Sequence, residues 1–442
     1  MKVLKEINRL YRAYHTIPNI NQFWSFNLSC SNDAMCKSQK LLLKHGLIQV
    51  SSTGIYHFLP PMVKALEKLI NIVDEEMKNI GGEKMIMPSL TPGRLWKFSG
   101  RWEKIGEELY KLKDRNDTEM CLGPTHEEAI TELMSRHQAF LSHKLFPMKL
   151  YQITTKFRDE MRPRFGLLRT KEFIMKDMYT FDTSEEEAVE TYNHVCKAYE
   201  NIFKKLGILP VKVKGTFGNI GGRYTDEFHF LSDIGEDDLI FCKKCNIGAN
   251  IEINNSMKCE NCGNEMIKYK GIEVAQAFLL GELYTKPFNA SYKSSKGSMQ
   301  ILQMGCFGLG VSRVLGACLE ILSTENELKW PLQIAPALVC VITPKAGSKE
   351  ESAMQFAHDI SFSLNQLEHL KDNVIVDQRT KLTIGYRFNN AKEIGLPYIV
   401  IIGKKALESV PKIEVHDIYH DKVMIFTHAE AIDFFRNLAN IL

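Results

Sequence analysis

Residues 154–181 read TTKFRDEMRPRFGLLRTKEFIMKDMYTF and predict two β-strands joined by a basic loop. Residues 156–160 alternate charged and apolar side chains, and residues 172–181 are rich in aromatic and apolar side chains. Pro163 and Gly166 lie between the two runs, which is typical of a turn. The sequence therefore predicts a β-hairpin whose connection is strongly basic.

Arginines are concentrated along this hairpin, at positions 158, 162, 164 and 169. Arg158 and Glu160 are two residues apart, so on a strand they would share one face. Guanidinium groups suit bidentate contacts to phosphate or carboxylate, and a neighbouring acid can accept a hydrogen bond from an exocyclic amine. The residues alone leave two interpretations open, a ligand site and an exposed charged hairpin, because charged strand faces are common.

The segments FRDE, RPRFG and RTKEFIMKDMYTF resemble motif 2 of class II aminoacyl-tRNA synthetases, in the form found in bacterial-type prolyl-tRNA synthetases. The resemblance implies that Arg158 contacts the α-phosphate of ATP and the carboxylate of the amino acid. It also implies that Glu160 binds the adenine amino group and that Phe173 stacks on adenine. The other residues that it assigns lie near the nucleotide (Arg169 and Thr170) or line the amino-acid pocket (Met175, Asp177 and Tyr179).

Length and composition limit the class of protein. The chain has 442 residues and a net charge of +3, which predicts two or three domains and permits a nucleic-acid partner without arguing for one. No apolar run is long enough to span a bilayer, so no membrane association is expected. The 11 cysteines are an odd number spread along a long chain, which disfavours a secreted disulfide scaffold.

Residues 1–30 differ from the rest of the chain. They are basic and amphipathic, and Glu6 is the only acid before Asp33. This composition resembles a mitochondrial transit peptide and predicts delivery to the mitochondrial matrix. The alternative is an ordinary surface helix.

Residues 62–80 carry apolar side chains at helical spacing and end at Gly81 and Gly82, and residues 85–88 predict a strand. Core packing accounts for most of these residues. The helix and strand also resemble class II motif 1, which forms the homodimer interface in that family. The resemblance therefore implies a homodimer.

Residues 121–140 read CLGPTHEEAITELMSRHQAF. Thr125 and Glu128 fit a capping box at a helix start, and this role alone would account for Thr125. GPTHEE also resembles a segment that contacts proline in prolyl-tRNA synthetases, which implies that Thr125 and Glu127 are proline ligands. A carboxylate suits a secondary ammonium group. Ile130 stands where a zinc protease of the H-E-x-x-H type has its second histidine, which excludes that class.

Four cysteines form two CxxC pairs, Cys242 with Cys245 and Cys259 with Cys262. Four thiolates form the tetrahedral site typical of structural zinc, and four ordinary thiols are the alternative. Bacterial prolyl-tRNA synthetases carry a large editing domain at about this point. Here only residues 251–270 are available, and this short segment resembles the mitochondrial members of animals.

Residues 271–285 predict a core strand, and residues 304–322 predict a strand, a glycine turn and a helix. The second stretch lacks both G-x-G-x-x-G and G-x-S-x-G, which disfavours a dinucleotide-binding site and a hydrolase site. It resembles class II motif 3. The residues that the resemblance places around ATP are Glu273, Gln276, Gly308, Gly310 and Arg313, and it places Phe278 near proline. Arg158 and Arg313 would be the catalytic pair, and the two glycines would let the backbone approach ATP. The sequence departs from the family at 275–276, where Ala-Gln replaces the usual Gly-His.

After Trp330 and Pro331, short β-branched runs alternate with helical stretches, which is an α/β pattern. Residues 377–404 resemble the anticodon-binding domain of class IIa synthetases. The expected RNA contacts are Arg379, Lys381 and Arg387, with solvated surface charge as the alternative.

These features predict an α+β catalytic domain, built on a class II antiparallel sheet with flanking helices, followed by an α/β anticodon-binding domain. The expected ranges are 1–30 for the transit segment, 38–330 for the catalytic domain with a cysteine knuckle at 242–262, and 335–442 for the anticodon-binding domain. The resemblance implies that L-proline and ATP with Mg²⁺ form prolyl-adenylate, which is transferred to the 3′ end of tRNA(Pro). Two rivals are an inactive accessory subunit and a threonyl enzyme. The first is disfavoured by the retained ATP residues, and the second by GPTHEE and KDMYTF.

Overall fold

The computed structural model describes residue 17 and residues 35–440, so the predicted transit segment lies outside the described residues apart from Ile17. Contacts divide the chain into two units. The first comprises Val50–Tyr56 and Leu69–Ile321, and the second comprises, among the described residues, 322–440 with 35–49 and His57–Lys68. Within the described ranges, no helix is long and apolar enough to cross a membrane.

The elements up to residue 322 are α1 (Lys37–Lys44), β1 (Ile48–Ser52), β2 (Ile55–Phe58), α2 (Pro60–Asn79), β3 (Glu83–Lys84), β4 (Leu90–Pro92), α3 (Gly93–Phe98), α4 (Arg101–Lys104), β5 (Lys111–Lys113), β6 (Glu119–Leu122), α5 (Glu127–Arg136), β7 (Met148–Phe157), β8 (Glu172–Asp182), α6 (Glu185–Leu206), β9 (Val211–Lys214), β10 (Tyr224–Leu231), β11 (Asp237–Cys242), β12 (Ile247–Asn250), β13 (Ile267–Gly281), β14 (Ser291–Lys293), β15 (Met299–Ile301), β16 (Gln303–Leu309) and α7 (Val311–Leu322). They are followed by β17 (Val339–Ile342), α8 (Met354–Asn365), β18 (Val374–Asp377), α9 (Ile384–Glu393), β19 (Tyr398–Ile401), β20 (Lys412–Asp417), β21 (Lys422–Thr427) and α10 (His428–Asn437).

A nine-stranded sheet forms the centre of the first unit, in the order β10-β9-β12-β11-β13-β16-β8-β7-β3. Strand β8 pairs antiparallel with β7 and β16, and β13 pairs antiparallel with β16, β10 and β11. Within this sheet, the parallel pairs are β3 with β7 and β12 with β9. The predicted antiparallel sheet with flanking helices is therefore confirmed. Helix α6 packs Tyr199 against Phe228 of β10 with ring centroids 5.4 Å apart.

The strand predicted at 85–88 is wrong. Strand β3 ends at Lys84, and the backbone amide of Met87 donates to Oε1 of Gln152 at 2.9 Å. A side chain therefore takes the hydrogen bond that a strand ladder would require, and the pairing stops. The predicted helix before it is confirmed as α2.

The predicted hairpin is confirmed as β7 and β8, with Lys156 opposite Phe173. The expectation that Arg158 and Glu160 share a strand face is wrong, because β7 ends at Phe157. The backbone amide of Arg158 still donates to Lys171 at 2.9 Å, but that of Glu160 donates to the carbonyl of Arg158, which turns the chain out of the ladder.

The C-terminal sheet has the order β18-β17-β19-β20-β21. The first three strands are parallel, and β20 and β21 add antiparallel hairpin strands at one edge. Strands β17 and β18 are buried along their whole length, as expected for parallel strands covered on both faces. The predicted α/β pattern is confirmed.

Candidate active site

Three cavities that share Glu273 lie in the first unit. A central cavity of about 150 Å³ is bounded by Arg158, Phe173 and Arg313, and a loop cavity of about 190 Å³ by Glu160 and Arg169. An outer cavity of about 210 Å³ shares Arg158 with the central one. The predicted residues that line the central cavity are Thr125, Arg158, Phe173, Met175, Asp177, Glu273, Gln276, Phe278, Gly308, Gly310 and Arg313. Segments far apart in the sequence therefore meet in one place.

The guanidinium of Arg158 lies over the ring of Phe173, 5.3 Å from its centroid. Arg158 directly follows β7 and Phe173 lies near the start of β8, so the hairpin brings them together. Arg313, in the first turn of α7, donates from Nη1 to the carbonyl of Glu273 at 3.0 Å. Two guanidiniums and an aromatic ring on one cavity wall suit a ligand that carries phosphate and a flat base.

The loop cavity is closed by ion pairs. Arg169 donates from Nε to Oε2 of Glu160 at 2.8 Å and from Nη1 to Oε2 of Glu236 at 2.6 Å, and Arg164 also pairs with Glu236. Glu236 lies outside the stretch that resembles motif 2, and the sequence analysis did not predict it as a site residue. Thr170 is buried and lies away from these three cavity walls.

Thr125 does not cap the following helix, so the capping-box interpretation is wrong. Helix α5 begins at Glu127 with His126 at its N-cap. The Thr125 hydroxyl instead donates to Oε1 of Glu127 at 2.7 Å, and the Cys306 thiol donates to the same oxygen at 3.0 Å. Glu127 is fully buried, and Thr125 stands at the cavity wall.

Asp177 lies at the centre of a buried polar network. It pairs with Lys156 at 2.8 Å and accepts hydrogen bonds from Gln152 and Tyr179, both at 2.9 Å. Burial lowers the pKa of Lys156, and the Asp177 carboxylate partly offsets that shift. Tyr179 also accepts from the backbone amide of His126 at 2.8 Å, which fixes the GPTHEE segment against β8.

Gln276 is oriented by acceptors on one side. Its Nε2 donates to the Thr216 carbonyl at 3.2 Å and to Oε1 of Glu227 at 3.3 Å. Glu227 is itself held by Nε2 of His229 at 2.9 Å. Because both partners of Nε2 are acceptors, the amide oxygen of Gln276 points away from them. Sequence reasoning did not find Glu227 or His229.

Two carboxylates beside the cavities have raised pKa values. Burial raises the pKa of Glu273, the charge of Glu227 adds to the shift, and Arg313 opposes it. Burial also raises the pKa of Asp237, which lines both the outer and the loop cavity with Glu273.

The four cysteines of the two CxxC pairs come together, with their sulfur atoms all within 4.8 Å of one another. Sγ atoms of Cys242 and Cys262 are 3.6 Å apart. The first pair spans the turn between β11 and β12, and the second precedes β13. Each knuckle is closed by a backbone bond, from Asn246 to Cys242 at 2.9 Å and from Gly263 to Cys259 at 2.7 Å. The donor set fits tetrahedral zinc.

The three expected RNA contacts differ in exposure. Lys381 is exposed. Arg379 is bound to Asp377, with Nη2 at 2.7 Å from Oδ2. Arg387 is fully buried and donates to the Thr343 carbonyl at 2.7 Å, so the structure does not present it to RNA. Its position on the inner face of α9 explains this, because that face packs on the sheet.

Comparisons with known proteins agree with this geometry. Residues 110–322 match the family described as the tRNA synthetase class II core domain (G, H, P, S and T), and residues 338–438 match the anticodon binding domain. A Rattus norvegicus protein named probable proline–tRNA ligase, mitochondrial, is 48% identical over 87% of this chain and 82% of its own length. A protein of the same name from Schizosaccharomyces pombe is 38% identical over 84% of this chain and 87% of its own length.

A crystal structure of prolyl-tRNA synthetase from Cryptosporidium parvum, complexed with L-proline and AMP, superposes with a TM-score of 0.71 and 17% identity, covering 90% of this chain and 75% of that one. At this identity the likeness concerns the fold. Fold and cavity together are those of a class II aminoacyl-tRNA synthetase. Given relatives of high identity and coverage, the chain belongs to the proline–tRNA ligase family.

Proposed function

We propose that this protein activates L-proline with ATP and transfers it to tRNA(Pro). The supporting observation is the central cavity, where Arg158, Phe173 and Arg313 surround one space beside Thr125. An inactive accessory subunit would have no need of this arrangement. The test is ATP–pyrophosphate exchange with a panel of amino acids. We expect proline to support the fastest exchange, and preference for threonine or no exchange would overturn the proposal.

In this reaction the carboxylate of proline attacks the α-phosphorus of ATP in line, and pyrophosphate leaves. No side chain acts as a nucleophile, so catalysis consists of positioning and stabilisation of charge. Arg158 contacts both reacting groups, Phe173 and Arg313 hold adenine between them, and Glu160 binds its amino group. Gly308 and Gly310 admit the nucleotide, while Arg169 and Gln276 lie around it.

The proline side of the cavity is formed by Thr125, Asp177 and Phe278, with Glu127 and Tyr179 behind them. A carboxylate below the wall and a hydroxyl at the wall suit a ring nitrogen that carries positive charge. Met175 completes this wall from β8.

Magnesium would be held by Glu273 and Asp237, whose carboxylate oxygens are the hard ligands that Mg²⁺ prefers. Partial burial raises the pKa of both carboxylates, so a divalent ion would favour their charged form. When bound, Mg²⁺ neutralises charge on the phosphates. Zinc, bound by Cys242, Cys245, Cys259 and Cys262, would have a structural role, because four thiolates leave no open position.

We further propose that residues 38–330 form the catalytic domain, with the knuckle at 242–262, and that residues 335–442 bind the anticodon. In this domain, Arg379 and Lys381 would contact the RNA. Residues 62–88, which resemble motif 1, would form the interface of a homodimer. Size measurement in solution tests the dimer, and a monomer at micromolar concentration would contradict it.

The enzyme would act in the mitochondrial matrix. Support comes from the basic, acid-poor composition of residues 1–30 and from the mitochondrial names of the rat and yeast relatives. A reporter fused to residues 1–40 should be imported, and a chain starting after residue 30 should aminoacylate at the full rate. A reporter that stays in the cytosol would contradict this assignment.

A further inference from the structure

Helix α5 begins with two consecutive carboxylates that are both buried. Glu127 is 0% exposed and Glu128 is 1% exposed. Burying one carboxylate is unfavourable unless it is paired, and burying two side by side adds their repulsion. Both carboxylates contact the same cation, Arg101.

Arg101 is held rigidly between them. Its Nη1 lies 3.1 Å from Oε2 of Glu127 and 3.0 Å from Oε1 of Glu128. The guanidinium carbon also lies 4.9 Å from the ring centroid of Trp96, and the residue is only 5% exposed. The three side chains therefore form one fixed unit, the glutamate–arginine cluster, whose net charge is −1 when both carboxylates are ionised.

The cluster reaches the cavity through Thr125. The Thr125 hydroxyl donates its proton to Oε1 of Glu127 at 2.7 Å. An ionised carboxylate can only accept, so the threonine oxygen is left as an acceptor towards the cavity that it lines. Arg101 itself lines the outer cavity. This part of the wall thus offers an acceptor with a negatively charged cluster behind it.

We propose that the glutamate–arginine cluster selects the positively charged ring nitrogen of proline, with Glu128 supplying the net negative charge and Arg101 positioning Glu127. The proposal rests on the proposed proline activation. The ring nitrogen donates to Thr125, and the cluster compensates its charge. If Glu128 is protonated, the cluster becomes neutral and the compensation is lost.

Among the described residues, the titratable groups that face Glu128 keep their charge state near neutral pH. They are Arg101 from α4, Glu127 from its own helix, Cys121 from β6 and Tyr284 from the turn after β13. Burial raises the pKa of Cys121 to about 11 and raises that of Tyr284 as well, so both stay neutral. Burial is also the main reason that the pKa of Glu128 is raised, with Glu127 adding to the shift and Arg101 opposing it. KM for proline should therefore rise as the pH falls through the range in which Glu128 gains a proton.

Glu128→Gln is the direct test, because glutamine keeps the shape and still accepts from Arg101 and from Ser99, which lies 2.8 Å from Oε1. We expect KM for proline to rise about tenfold or more, the scale of a hydrogen bond to a charged group. KM for ATP should stay the same, and the acid limb of the proline profile should flatten. Arg101→Lys should also raise KM for proline and leave KM for ATP unchanged. The matched control is Glu132→Gln on the same helix, where Glu132 pairs with Arg94 and Arg136 away from the cavity. It should behave as wild type.

Tetrahydro-2-furoic acid separates charge recognition from packing, because its ring carries oxygen in place of the ammonium. Its inhibition constant should be the same in wild type and Glu128→Gln. The pH profile of wild-type KM for proline gives a second measurement if the variant does not fold. Unchanged KM for proline in folded Glu128→Gln, or a flat wild-type profile, would overturn the cluster proposal. Failure of wild type to activate proline would instead overturn the proposed function.

Discussion

The guanidinium of Arg158 lies 5.3 Å from the ring centroid of Phe173, and both side chains line the central cavity. This contact connects the residue that follows β7 with the start of β8. Arg158→Ala removes a charged group that we expect to touch both the α-phosphate and the proline carboxylate. Loss of one such contact costs about 3–4 kcal/mol in the transition state, so adenylate formation should fall by two to three orders of magnitude. Pyrophosphate exchange measures this.

The control for Arg158→Ala is Arg115→Ala, because Arg115 lies exposed in the turn between β5 and β6. Both variants should keep the circular dichroism and melting temperature of wild type. Near-normal exchange by a folded Arg158→Ala enzyme would contradict the assigned role.

The orientation of the Gln276 amide should affect the binding of ATP. Gln276→Glu would place a carboxylate against Glu227, which now accepts from the amide nitrogen at 3.3 Å. Like charges at this distance repel, so we expect KM for ATP to rise about tenfold. Gln276→His keeps a donor for Glu227 and should stay close to wild type. Equal KM values for the two variants would show that the contact with Glu227 is unimportant.

The cysteine cluster should hold about one zinc ion per chain. Elemental analysis of the purified protein measures this, and a Cys245→Ser, Cys262→Ser double variant should contain none. The variant should also lose protection from proteolysis between β11 and β13, because the metal joins the two knuckles. Metal-free wild-type protein with four titratable thiols would remove the claim.

Lys176 should make stability depend on pH. Burial lowers its pKa from 10.5 to about 7, and its Nζ donates to the Tyr199 hydroxyl at 2.6 Å. Between those two values the unfolded chain holds a proton that the folded protein does not, so stability rises with pH by up to about 1.4 kcal/mol per unit. Lys176→Met should remove this slope.

Melting temperatures of wild type and Lys176→Met between pH 6 and 9 check the slope. The advantage of the methionine variant should be largest at the acid end and shrink as the pH rises. Lys204→Met on the exposed face of α6 should show no such trend. A difference between wild type and Lys176→Met that stays constant with pH would contradict the prediction.

The chain should not hydrolyse alanyl-tRNA bearing the proline anticodon. Alanine fits any pocket that admits proline, and each missing methylene gives only about 1–3 kcal/mol of discrimination. Bacterial relatives are expected to correct this error in the inserted domain, but residues 251–270 here are too few to form one and instead contain half of the cysteine knuckle. Purified enzyme incubated with alanyl-tRNA should match the enzyme-free rate, and faster deacylation would reveal an unrecognised editing site.

Local patterns predicted the elements well where one physical rule dominates. Apolar spacing predicted the helix at 62–80, which is observed as α2, and β-branched runs predicted β17, β18 and β19. The predictions failed where a distant group intervened. Gln152 ended the strand expected at 85–88, and Glu127 took the hydroxyl expected to cap α5.

The sequence by itself determined the class of the fold, the order of its elements and most of the residues around the central cavity, because motifs and periodicity are local properties. Only the tertiary structure decided which side chains support them. Arg101 meets Glu127 and Glu128 across a separation of 26 and 27 residues, and Lys156 meets Asp177 across neighbouring strands. It also decided that Arg387 is buried, while Lys381 is exposed. Burial and the pairing of charges depend on which segments pack together, and that information is absent from any single stretch of the chain.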